Sequence, residues 1–291
     1  MASREATIAD HRERLRVLVH IEEHMDRPLK LKELASLACF SPFHFHRIFA
    51  ACVGETINEY IRRIRLEKAA IKLVHSSEPI TSVALAGGYE TPAAFTKAFR
   101  QHFGQNPTDF KSIRRQKSAC MNLTINMYST EKDRITMQPE IRTIPEQGVL
   151  FVRKTGRYDK AAAKAWSTLM EFAYSRRLMG KNTKSFGVSR DNPDITLEKK
   201  IRYEACITFD EDVKPEGEIG IQSIGGGRYA VFLHKGPYDK LGETYNTIFS
   251  WWFPSSGEKL REASCFELYL NRDPRRTKPD NLRTEIFVPI K

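Results

Sequence analysis

The sequence predicts a multidomain protein: an all-α N-terminal domain with two helix-turn-helix units, followed by an α+β C-terminal domain built from a duplicated strand-helix-strand unit. Three observations predict it. Residues 31–60 and 80–110 carry one apolar pattern at an offset of 49, which becomes 50 after Tyr89. Beyond about residue 136 the apolar spacing changes from helical periodicity to alternation. There a second repeat runs at an offset of about 80: Gly156-Arg157-Tyr158-Asp159-Lys160 against Gly236-Pro237-Tyr238-Asp239-Lys240, Phe186 against Phe266, and Glu204 against Glu285, one residue further on.

The N-terminal domain is expected over residues 1–117. Ile8, Leu15, Leu18, Ile21 and Met25 share one face of a first helix over 8–25, and Asp26-Arg27-Pro28 stops it. The first helix-turn-helix covers about 31–54. Its marks are Leu31, Leu34, Ala35, Ala38 and Phe40, then Phe45, Arg47, Phe49, Gly54 and Tyr60. The second covers about 80–104, with Ile80, Val83, Ala84, Gly87 and Tyr89, then Phe95, Lys97, Phe99, Gly104 and Phe110. Between them a long helix over 57–74 puts Ile57, Tyr60, Ile61, Ile64, Ile71 and Val74 on one side. Arg62, Arg63, Arg65, Lys68 and Lys72 lie on the other, open to solvent or to phosphates. A short closing helix runs over 107–117, and the polar, weakly patterned stretch 118–135 reads as the linker. In the C-terminal domain, 136–291, strands are expected over 149–154, 201–209, 228–234 and 284–288, and helices over 159–178 and 239–252. Two such halves are expected to pack about a pseudo-twofold axis.

The 291 residues, 41% of them hydrophobic, suffice for two cores. Of the net charge of +11, residues 1–117 contribute +6 and residues 118–291 contribute +5. Such a balance favours nucleic acid over acidic partners. Cys39, Cys52, Cys120, Cys206 and Cys265 form no CxxC pair and no zinc spacing, as expected of reduced thiols. No run is long and apolar enough to span a membrane, and the N-terminus has no secretory core. A soluble, cytoplasmic protein is expected.

Enzyme signatures are absent from the pattern. There is no nucleophile elbow. Gly225-Gly226-Gly227 lacks a following Lys-Ser/Thr and reads as a turn. His44 and His46 stand two apart on a helix with another task, and Asp210-Glu211-Asp212 reads as a solvated loop. Neither catalysis, a metal nor a cofactor is expected.

A recognition helix needs one apolar face for its own core and one face for the DNA major groove. With Phe45 and Phe49 inward, Phe43, His46 and Arg47 fall outside. With Phe95 and Phe99 inward, Ala93, Ala94, Thr96, Lys97 and Arg100 fall outside. Arg47 can grip the O6 and N7 of guanine or a phosphate, while the two alanines offer only apolar contact. Arg62 on the connecting helix is placed to meet the backbone. Two units in one chain would let a monomer read neighbouring grooves. These lie ~34 Å apart, whereas a connecting helix of about 18 residues spans ~27 Å. The DNA must therefore bend, or one helix must insert poorly.

The residues carrying these features also carry a resemblance. Ser41-Pro42-Phe43-His44-Phe45-His46-Arg47-Ile48-Phe49 with Gly54, Tyr60 and Ile61-Arg62, then Ile80 through Gly88-Tyr89, Phe95, Phe99, Phe103-Gly104 and Pro107, resemble the DNA-binding domain of the AraC/XylS family of bacterial transcription regulators. The resemblance implies base contacts from Phe43, His46 and Arg47 in the first unit and from Ala93, Ala94, Thr96 and Lys97 in the second. It also implies binding to double-stranded promoter DNA and activation through RNA polymerase. His46 departs from the Gln frequent in relatives. Lys30 departs from their Ser cap, and a Lys there opposes the helix dipole.

Gly156-Arg157-Tyr158, Gly236-Pro237-Tyr238, Phe266-Glu267-Leu268-Tyr269-Leu270-Asn271 and the run Arg283 to Ile290 resemble the GyrI-like effector-binding domain. That resemblance implies a buried carboxylate and aromatic walls around a cationic, apolar small molecule. Glu285 is the first candidate carboxylate and Glu204, its repeat partner, the second. Trp251, Trp252, Tyr269 and Trp166 are the candidate walls. A protein-interaction module, or a hydrolase-like domain acting on small molecules, is the alternative for this half.

Overall fold

The two helix-turn-helix units are built by the same local chemistry fifty residues apart. In the computed structural model, which describes residues 16–25, 27, 29–116, 138–209 and 213–291 except the side chain of Phe43, residues 16–23 are helical and form α1. There follow α2 (Leu31–Leu37), α3 (Pro42–Val53), α4 (Ile57–His75), α5 (Ile80–Ala86) and α6 (Pro92–Phe103), and residues 107–116 form α7. The proposed start of the first helix, the linker 118–135, Cys120 and Asp210-Glu211-Asp212 lie outside the described residues.

Both second helices begin and end alike. The hydroxyl of Ser41 accepts the backbone N–H of His44, and that of Thr91 accepts the N–H of Ala94. A proline sits in the first turn of each helix, where its missing N–H costs nothing. Gly54 and Gly104 close the helices at φ 72° and 74°, a conformation that suits glycine. Thr56 and Glu59 form a reciprocal capping box at the start of α4. At α2, by contrast, Lys30 provides no side-chain cap.

The core of the first unit collects Leu18, Ile21, Leu34, Phe45, Phe49, Tyr60 and Ile64. The 19-residue α4 extends over about 28 Å. Its charged side is not uniformly solvated, which corrects the expectation from periodicity. Arg62 and Lys68 are exposed, but Arg63 is buried. Its guanidinium bonds Glu55 at 2.7 Å and Glu67 at 3.1 Å, with the Tyr60 ring 5.2 Å away. Arg65 donates to the carbonyls of Met25 and Arg27 at 3.1 and 3.0 Å. It also lies over Gly88, where a Cβ would meet its Nη1 at 3.0 Å. Gly88 is further required by its φ of +77°.

By contact density the chain divides into two units, residues 1–114 with 215–220, and residues 115–214 with 221–291. The second unit contains an eight-stranded sheet of β1 (Glu140–Ile144), β2 (Gln147–Thr155), β3 (Ser185–Ser189), β4 (Arg202–Thr208), β5 (Gly220–Ile224), β6 (Gly227–Lys235), β7 (Cys265–Tyr269) and β8 (Arg283–Pro289). Helix α8 (Tyr158–Ser175) follows β2. After β6 the matching segment is broken: a 3₁₀ turn at Tyr238–Lys240, α9 (Leu241–Thr247), a π-turn at Ile248–Trp252 and α10 (Phe253–Ser256) replace the single helix expected over 239–252. Four of the strands, β1, β3, β5 and β7, were not anticipated; each is only five residues long.

The strand order is β1-β6-β8-β7-β3-β4-β2-β5. β5, β6 and β7 lie 80 residues after β1, β2 and β3, and β8 lies 81 after β4. Exchanging the halves maps the order onto itself. The pseudo-twofold axis therefore crosses the antiparallel β3–β7 seam, where Gly187 faces Glu267 in register.

Candidate functional site

The first surface of interest is the outer side of the two second helices. Phe45, Phe49, Phe95 and Phe99 are buried, as a four-residue spacing requires. His46, Arg47, Ala93, Ala94, Lys97 and Arg100 are exposed, as is Arg62 on α4. Thr96 is half-buried, and its hydroxyl donates back to the Pro92 carbonyl at 2.9 Å. The side chain of Phe43 lies outside the described residues. Pro92, Ala93, Thr96, Lys97, Arg100 and Gln101 line an open depression of about 750 Å³ along α6. This face combines cations with small apolar groups on a rigid element.

The second site lies on the pseudo-twofold axis. Alternation along paired strands puts Tyr203, Gly187, Ser189, Glu267 and Tyr269 on one face of the sheet. Glu204, Val188, Phe266 and Glu285 lie on the other. The carboxylate of Glu267 is 4% exposed. Tyr269 donates to it at 2.6 Å and Tyr245, from α9, at 3.2 Å. Trp166, from α8, donates to the Tyr203 hydroxyl at 2.9 Å, which lies 3.0 Å from that of Tyr269. The Tyr269 ring has Trp166 at 5.6 Å and Tyr238 at 5.1 Å, both edge-on. Among the described residues no Lys, Arg or His pairs with Glu267. Burial pushes its carboxyl up from the usual range, and bonds from Tyr269, Tyr245 and Ser189 pull partly back.

Gly187 is what lets these tips converge. A Cβ there would lie 2.6 Å from the Tyr203 hydroxyl and 2.9 Å from Glu267 Oε2. Gly187→Val should therefore splay the hydroxyls and lower the affinity of any small molecule held by Glu267 at least about tenfold, read by fluorescence titration. An unchanged affinity would show that the convergence has no function.

Tyr269 and Trp166, two of the proposed walls, are in this group. The other candidates sit elsewhere. Glu204 is fully buried but saturated on the opposite face, by Arg153 at 2.5 Å, Arg190 at 2.9 Å and Gln222 at 2.7 Å. Glu285 pairs with Arg142 at 2.9 Å. Arg142 and Gln222 are themselves 80 residues apart on β1 and β5, so both carboxylates are framework contacts that the repeat duplicates. Trp252 packs edge-on against Phe232 in the core, 4.9 Å between centroids, and Trp251 is half-buried. Glu267 was overlooked because its repeat mate is a glycine. The signal available was Glu267 and Tyr269 two apart in an otherwise apolar strand.

Comparison with known proteins yields two family matches. A model described as the GyrI-like small molecule binding domain matches residues 137–291, and a helix-turn-helix domain model matches residues 34–113. The chain is similar to the transcriptional regulator Rob of Salmonella typhimurium, 24% identical over 94% of this chain and 96% of that protein. It is also similar to the regulatory protein SoxS of the same species, 32% identical over 35% of this chain and 95% of that protein. Among solved structures, the C-terminal domain of EcmrR aligns with a TM-score of 0.46 at 23% identity, over 53% of this chain and 98% of that one.

Proposed function

Because this chain belongs to the AraC/XylS-type DNA-binding transcription regulators that carry a GyrI-like small molecule binding domain, we propose that it responds to a cationic, largely apolar effector held at Glu267 and grips promoter DNA through the outer faces of α3 and α6. The observation that carries the effector reading is a buried carboxylate that, among the described residues, is bonded only by hydroxyls and is ringed by Tyr203, Tyr269, Tyr245, Tyr238 and Trp166. A carboxylate out of water needs positive charge, and the faces of the surrounding rings attract it. The opposite-face glutamates already have cationic or amide partners, so they offer no such demand.

The test is titration of the full chain with tetraphenylphosphonium and tetraphenylborate, which share shape and differ in charge sign. The cation should bind and the anion should not. Equal binding of both would remove the carboxylate from the reading. RNA polymerase as the second macromolecular partner, with activation as the outcome, is the extension we favour from the resemblance to Rob and SoxS.

On DNA, the two helices are expected to divide the work. Arg47→Ala should cost about 1–3 kcal/mol on the cognate site and little on random sequence. Lys97→Ala should weaken binding similarly on all sequences and reduce the salt slope by about one. Gel-shift titrations at several salt concentrations decide this. Equal losses on random DNA would end the division of labour.

A further inference from the structure

We propose that the hydroxyl of Tyr238 is a second recognition point of the Glu267 site, kept for a hydrogen-bond acceptor on the effector. The inference rests on the reading of Glu267 as a cation site and specifies what else the ligand must carry.

The repeat symmetry breaks at Tyr238. Tyr238 and Tyr158 are repeat mates, 80 residues apart, each at the start of the helical segment after β6 or β2. The Tyr158 hydroxyl donates to the backbone carbonyl of Asp191. The hydroxyl of Tyr238 is buried and has no hydrogen-bond partner among the described residues. A buried donor left unpaired is unfavourable, and such groups are rare in folded proteins. The Tyr238 ring packs on Tyr269, which holds Glu267, so the orphan belongs to the same aromatic group. Burial and the negative charge of Glu267 both keep its proton in place, so it offers a donor and not a phenolate. Two departures from symmetry at the seam belong to the site: Glu267 opposes Gly187, its repeat mate, and Tyr269 replaces Ser189. An effector that places its cation at Glu267 and a carbonyl or ether oxygen at Tyr238 would satisfy both groups.

The experiment compares tetraphenylphosphonium with its 2-, 3- and 4-acetylphenyl analogues, titrated into the full chain and into Tyr238→Phe. At least one acetyl isomer should bind the wild-type chain about threefold to tenfold more tightly than the parent cation, the increment of one neutral hydrogen bond. Tyr238→Phe, which keeps the ring and removes only the hydroxyl, should abolish that preference, read as the ratio of acetyl-analogue to parent affinity within each protein. The inference is overturned if no isomer is preferred, or if the preference survives in Tyr238→Phe. Glu267→Gln separates the two readings. If it binds the parent cation undiminished, the cation site itself falls. If it loses the cation while Tyr238→Phe keeps the acetyl preference, only the Tyr238 assignment falls.

Discussion

An Arg63→Met variant is expected to lose about 3–5 kcal/mol of stability in the DNA-binding unit, because it takes the cation away from the buried Glu67 and the half-buried Glu55. The side chains of Arg63, Glu55 and Glu67 are 8%, 11% and 6% exposed. Glu55 precedes α4 and Glu67 lies one turn beyond Arg63, so the cation anchors the start of the connecting helix. Its field also reaches α6: burial first, and Arg63 second, hold the His102 imidazole below its usual range. Against a typical domain stability of about 5–15 kcal/mol, such a loss is a large fraction. Urea melts followed by far-ultraviolet circular dichroism would read it. Removing the two negative charges with Glu55→Gln and Glu67→Leu should restore much of the loss. A change below about 1 kcal/mol in Arg63→Met would mean the pairs are effectively solvated.

Glu267→Gln should do the opposite to stability while removing function. Binding of tetraphenylphosphonium should weaken by about 2 kcal/mol or more, roughly thirtyfold or more, as expected when one member of a buried charge pair is neutralised. The free protein should become more stable at neutral pH by about 1–3 kcal/mol, since a buried charge held by hydroxyls, with no cationic partner among the described residues, is gone. The sign follows from linkage. The carboxyl's folded pKa lies above its unfolded value, so the folded state binds more protons between the two and stability falls as pH rises through that window. Below the unfolded pKa the wild type carries no such cost, and the variant's advantage should vanish there. In the wild type, cation affinity should weaken as acid protonates Glu267. Thermal melts and titrations between acid and neutral pH check all three. Equal melting temperatures at neutral pH would mean that hydroxyl bonds already offset the burial of the charge. This is the trade expected where a binding site is built at the expense of stability.

Much of the DNA-binding unit was legible because its determinants are local. A helix start needs Ser41 or Thr91 three residues ahead of the N–H it caps. A helix end needs a glycine able to take positive φ, and the inward face needs Phe every fourth position. All of these act within a dozen residues, so they can be read in order along the chain. Arg63 was misjudged for the converse reason. Helical periodicity assigned it to the polar side, but one of its two carboxylates, Glu55, comes from outside the helix.

In the C-terminal half, what the chain's own order determined was duplication: four of the eight strands, the helix after β2 and the 80-residue offset follow from the residue patterns. Which glutamate is buried without a cationic partner among the described residues was decided by tertiary structure alone. Glu204, Glu267 and Glu285 all stand in strands among apolar neighbours. They differ in sheet face and in cross-strand partners up to 143 residues distant. A period of two sends adjacent residues to opposite faces, and only strand pairing states which face meets arginine and which meets tyrosine. The repeat drew attention to the two matched carboxylates, yet duplicated residues are those the framework needs twice. The physical singularity lies where the copies diverge, at Gly187 against Glu267, because a site on a twofold axis can hold one buried charge only if its mate makes room.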